Sequence, residues 1–93
     1  MGFLDFMTQD IAIDLGTANT LIIHNDKVVV DQPSIVAIDR KSEKVIAVGQ
    51  RAQQMHGKSH KGIKTIRPLK DGVIADFNAS EQMIRELVRT IPN

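Results

Sequence analysis

The 93-residue sequence has no cysteine, no tryptophan and no tyrosine. Without cysteine there is no disulfide and no thiolate-bound metal, so a reducing compartment is allowed but not required. The three aromatic residues are Phe3, Phe6 and Phe77, and none lies in the basic middle of the chain. No apolar run approaches the roughly 18 residues that a spanning helix needs. The opening residues lack the basic start of a signal peptide, and Asp5 and Asp10 bracket their apolar patch. An overall excess of one charge is also missing, since the formal net charge is +1.

That balance hides a strong segregation. Residues 1–39 carry six Asp and one Lys, residues 40–70 nine Lys or Arg and one Glu, and residues 71–93 two Arg and four acids. The basic segment has no aromatic side chain on which bases could stack, so no nucleic-acid partner is expected from it. Charge alone still permits contact with an anionic backbone. The composition, 42% hydrophobic and 25% charged, is that of a globular chain rather than a disordered one. A chain this short buries only about 60–65% of its extended surface and is expected to be marginal by itself.

The stretch from Ile11 to Thr20 is the most informative. Ile11, Ala12, Ile13 and Leu15 surround one carboxylate, Asp14, in what reads as a buried strand. Gly16 then breaks the strand, small polar side chains follow at Thr17 and Asn19, and an apolar run resumes at Leu21. Gly16 lacks a side chain, so another group can approach its backbone closely. Successive amide N–H groups in such a turn can converge on an anion. Asp14 would repel a phosphate but can hold a cation, or the water around one. Acid and amide turn together suggest a metal–nucleotide site, although an Asp-x-Gly-Thr turn is also what an ordinary hairpin looks like.

Around this turn the pattern predicts strands over 11–15, 20–24 and 27–31, with Asn25 and Asp26 as a two-residue turn that tolerates positive φ. Pro33 is expected to interrupt them, because it cannot donate to a ladder. A second hairpin is predicted over 35–38 and 45–48, a short helix over 50–55, and a strand over 63–67. Gly72 marks a turn. His56 and His60 are not read as a metal site, since no carboxylate or third ligand lies near them in a loop rich in glycine and solvated side chains. The last element reads as a helix starting at Asn78, with Glu81 three residues on as in a capping box. Ser80, Met83, Ile84, Leu87, Val88 and Ile91 recur at spacings of 3 and 4 and form its inward stripe. Asp76 suits the chemistry of a helix end better than a catalytic base, and Phe77 is expected to pack in the core. At the other end, Phe3, Leu4 and Met7 share a helical face with Phe6 close to it, a short patch that could enter a bilayer interface or fold onto the core.

The run Asp14-Leu15-Gly16-Thr17-Ala18-Asn19-Thr20 resembles the first phosphate motif of the actin/Hsp70/sugar-kinase superfamily. Together with residues 33–39, 45–49 and 66–77, it is similar to the MreB family of bacterial actin-like cell-shape proteins, over about the first quarter of such a chain. The resemblance implies an α/β fold, part of an actin-like, ribonuclease H-like ATPase domain. Its parts would be a membrane-anchoring extension over 1–9, the first strands of a large subdomain with the phosphate hairpin over 10–32, a small inserted subdomain over 33–75, and a return to the large subdomain with an amphipathic helix over 76–93. It assigns ATP and Mg2+ as cofactors, with Asp14 on the magnesium side through water and Gly16, Thr17, Ala18 and Asn19 at the phosphates. It makes Phe3, Leu4, Phe6 and Met7 a membrane anchor. The implied partners are further copies of the chain in a filament, the cytoplasmic face of the inner membrane and morphogenesis membrane proteins. In the family, the second phosphate loop, the water-positioning residue and the adenosine pocket lie beyond residue 93, so this stretch alone is not expected to turn over ATP. The rival readings are a sugar or acetate kinase or an Hsp70-type chaperone of the same superfamily, and a free-standing membrane- or protein-binding module.

Overall fold

Turn chemistry and alternation set the local structure. The computed structural model describes residues 11–56 and 61–91. Strands β1 (Ile11–Leu15), β2 (Asn19–His24) and β3 (Lys27–Pro33) form one antiparallel sheet in that order. Asn25 and Asp26 both adopt positive φ, 53° and 62°, which gives the two-residue turn a twist that suits the flanking strands. Ile13 pairs with Ile22, Asp14 with Leu21 and Leu15 with Thr20. The period of two turns Ile11, Ile13 and Leu15 towards the core and leaves Ala12 and Asp14 exposed.

β3 runs further than the sequence pattern implies. It continues through Pro33, which pairs with Asn19. The strand lies at the sheet edge and the proline at its last position, where a missing donor costs little. A bulge between Ile22 and Ile23 places Ile22 opposite Val30 and Ile23 opposite Val28, so Val29 is the extra residue.

A second antiparallel sheet, of order β5-β4-β6, is built from β4 (Val36–Asp39), β5 (Val45–Val48) and β6 (Ile63–Ile66). In the β4–β5 loop Asp39 accepts from the Lys41 N–H at 2.9 Å, a bond that holds its carboxyl below the usual carboxylate range. The central strand β4 is buried on both faces. Val36 and Ile38 face the main core, while Ala37 joins Ile35, Ala47 and Ala52 in a smaller cluster under helix α1 (Gln50–Met55). A third, two-stranded ribbon pairs β7 (Leu69–Lys70) with β8 (Val73–Ile74). Its turn residues Asp71 and Gly72 also have positive φ. The Pro68 carbonyl accepts from both Ala75 and Asp76 N–H, which draws the two ends of this connection together.

Helix α2 (Phe77–Arg89) organises the core. Ser80, Met83, Leu87 and Val88 on its inner stripe are buried, and Ile22, Val30, Val36, Ile38 and Leu69 meet that stripe from all three sheets. The helix cap falls two residues earlier than expected. Asp76, not Asn78, is the N-cap, and its side chain accepts from the Ala79 N–H at 3.0 Å. Glu81 pairs with Arg85 along the helix surface instead of reaching back.

Phe77 corrects the expectation of a core residue, being 67% exposed. At about 100° of helix per residue, Phe77, Ile84 and buried Val88 share one side of the helix, so Phe77 is exposed by its place in the first turn and not by its angle. Phe77 and Ile84 line an open apolar groove of about 370 Å³ with Leu15 and Ile74.

Candidate phosphate-binding hairpin

The β1–β2 connection is a closed turn with its polar groups distributed in two directions. Gly16 N–H donates to the Asn19 carbonyl at 3.0 Å. A Cβ at Gly16 would sit 2.5 Å from that same oxygen, so closure of the turn requires glycine. Thr17, Ala18 and Asn19 are exposed, as is Asp14 one strand position before Leu15.

Each of the sequence-assigned residues has a defined role in the turn. The Asn19 side chain donates to Asp31 Oδ1 at 3.0 Å across β2 and β3, while its carbonyl closes the turn. Thr17 Oγ1 accepts from the Gly72 N–H at 2.7 Å, which ties the turn to the β7–β8 ribbon 55 residues away. That hydroxyl keeps its own proton to donate elsewhere. The Ala18 carbonyl accepts from Ser34 N–H at 2.8 Å, and the Gly16 carbonyl accepts from Ser34 Oγ at 2.7 Å. Buried Thr20 completes this support, with its Oγ1 2.8 Å from Ser34 Oγ.

The structure thus brings Gly16, Thr17, Ala18 and Asn19 into one turn with Asp14 on the strand leading into it. Ser34, Thr20 and Gly72 are contributors that sequence reasoning missed. Thr20 carried a signal, because a polar residue at an inward position of an alternating strand needs a buried partner. Ser34 and Gly72 carried none, since their roles depend on distant chain segments. His56 shares a hydrogen bond with Thr65, whereas His60 and the apolar residues Phe3, Leu4, Phe6 and Met7 lie outside the described residues.

The donor set fits a magnesium–polyphosphate ligand. Asp14 offers one exposed hard carboxylate, and Mg2+ is commonly held by one or two carboxylates together with waters and phosphate oxygens. The adjoining turn offers backbone amides and a hydroxyl rather than acids.

Two small antiparallel sheets and a ribbon, joined across one amphipathic helix with a glycine-closed turn at the end of the first strand, make an actin-like α/β segment. The same arrangement occurs in the crystal structure of MreB5 of Spiroplasma citri bound to AMPPNP, with a TM-score of 0.80 and 38% identity, covering 89% of this chain and 25% of that one. The ADP-bound MreB5 structure gives a TM-score of 0.77 at 40% identity, covering 85% of this chain and 24% of that one. The family described as MreB/Mbl protein matches residues 8–93, and the chain belongs to that family. Among curated relatives, cell shape-determining protein Mbl of Bacillus subtilis is 49% identical over 84 residues, 89% of this chain and 25% of its own length. Cell shape-determining protein MreB of Escherichia coli is 45% identical over 94 residues, 96% of this chain and 27% of its own length. The chain therefore spans about a quarter of the relatives it matches.

Proposed function

We propose that this segment supplies the first phosphate-binding hairpin of an actin-like ATPase that determines cell shape, binding ATP with Mg2+ and forming filaments at the cytoplasmic face of the inner membrane. The observation that carries this reading is the pairing of exposed Asp14 with an amide-bearing turn that only glycine can close. Two structures of the related MreB5, bound to AMPPNP and to ADP, support it. The relatives are cell-shape proteins, which favours this reading over a kinase or a chaperone.

In this reading Asp14 orients water on the metal side, and the amides of residues 17–19 bind phosphate oxygens, the Gly16 N–H being held by the Asn19 carbonyl. Thr17 donates its free hydroxyl proton to the same anion while its lone pair stays with Gly72. Bound magnesium supplies neutralisation of phosphate charge. Hydrolysis also needs a positioned water and further charge stabilisation, which the family's later segments contribute. Residues 33–75 act as the small subdomain that meets neighbouring copies in the filament.

Asp14→Asn in a full-length MreB-family chain carrying this segment tests the assignment by calorimetric titration with ATP. The expected result is loss of the magnesium-dependent part of the affinity, about tenfold or more, with the affinity in EDTA little changed. Equal magnesium dependence in both proteins would refute the assignment.

Membrane association in this reading comes from Phe3, Leu4, Phe6 and Met7. One copy binds weakly, and a filament binds well through multivalency. Phe3→Ser with Phe6→Ser is expected to abolish co-sedimentation of polymer with liposomes while leaving polymer formation unchanged. Undiminished co-sedimentation would rule the patch out as the anchor.

A further inference from the structure

Ser34 stands 18 residues from Gly16 along the chain and is fully buried, yet it contacts the hairpin twice. Its Oγ reaches the Gly16 carbonyl and its backbone N–H reaches the Ala18 carbonyl. The third contact, to Thr20, fixes the direction of the chain of bonds. A serine hydroxyl has one proton and a carbonyl only accepts, so the Ser34 proton goes to Gly16. Thr20 must then donate to Ser34. Protons run one way, from Thr20 to Ser34 to the Gly16 carbonyl, and all of the polar atoms in this path are paired.

In a planar trans peptide the carbonyl and the following N–H point to opposite sides. Drawing the Gly16 carbonyl back onto Ser34 therefore turns the Thr17 N–H away from that buried side chain. Drawing the Ala18 carbonyl back does the same for the Asn19 N–H. We infer that Ser34 is a positioning residue of the phosphate site, aiming the Thr17 and Asn19 amides at a bound polyphosphate without touching it. This inference rests on the nucleotide reading above.

The test is ATP titration of wild type, Ser34→Ala and Asp14→Asn in a full-length MreB-family chain carrying this segment, each with Mg2+ and with EDTA, well below the melting temperature. Ser34→Ala is expected to weaken ATP binding about tenfold, and by the same factor in both conditions, because an amide acts on phosphate and not on the metal. Ser34→Thr, which keeps the hydroxyl, is expected to restore most of the affinity. A purely structural serine would lower the melting temperature and leave ATP affinity intact, and that result would overturn the positioning role. If Ser34→Ala does not fold, Ser34→Cys carries the test, since the thiol is similar in shape but a weak donor. Unchanged affinity there would equally overturn the role. Loss of magnesium dependence in Asp14→Asn beside wild-type affinity in Ser34→Ala would sink this inference alone. Absence of ATP binding by the wild type would sink both readings.

Discussion

Met83→Ala is expected to leave the 93-residue chain largely unfolded in a thermal or urea titration. Met83 is completely buried and sits at the centre of the α2 stripe, where residues from all three sheets converge. Truncation of such a side chain costs about 2–5 kcal/mol, from lost transfer energy and from the cavity left behind. Whole domains are stable by only about 5–15 kcal/mol, and a chain of this size falls at or below the lower end. Met83 belongs to a core cluster that also holds Ile22, Val30, Val36 and Ile38, residues of strands fixed by their own ladder hydrogen bonds, which limits collapse around the gap. Met83→Leu keeps the volume and is expected to cost less than about 1.5 kcal/mol. A Met83→Ala melt within a few degrees of wild type would show that α2 is not the organiser of the core.

Gly16→Ala is expected to open the β1–β2 turn and weaken ATP binding by about tenfold or more in a full-length MreB-family chain carrying this segment. The added Cβ would lie 2.5 Å from the Asn19 carbonyl oxygen, a backbone atom that cannot rotate away. Relief requires the two ends of the turn to separate, which breaks the Gly16–Asn19 bond and displaces the Gly16 carbonyl from Ser34. Overpacking of this kind costs about 1–3 kcal/mol, and the same movement disperses the amides that meet the phosphate. Gly62 provides the control, because a Cβ there meets nothing within 4 Å. Gly62→Ala is expected to be neutral, or stabilising by up to about 1 kcal/mol through a less flexible unfolded chain. Similar effects of the two substitutions on ATP affinity would refute the close-approach argument.

Much of this architecture was legible in the chain. The Asn25-Asp26 turn, the 45–48 strand and the 50–55 helix follow from local dihedral preferences and apolar period, and they appear where those preferences put them. The stripe through Ser80, Met83, Leu87 and Val88 was equally legible, since a helix repeats by geometry alone. The β7–β8 ribbon was not, because two-residue strands are too short to show a period. Phe77 was misread for a related reason. Its hydrophobicity predicts a buried side chain, but it stands at the first position of α2, and Val88, at nearly the same angle about three turns further on, is the one that is buried.

The candidate site divides along the same line. Sequence by itself determined the ingredients: an acid on a strand, a glycine at the break, short polar side chains after it, and a helix with one apolar face. Tertiary structure alone decided how those ingredients are held. Ser34 reaches Gly16 across 18 residues, and Gly72 reaches Thr17 across 55. Such contacts depend on how separate sheets settle around α2. Backbone preferences act over a few residues, whereas the apolar burial that brings distant segments together depends on contacts far apart in the chain.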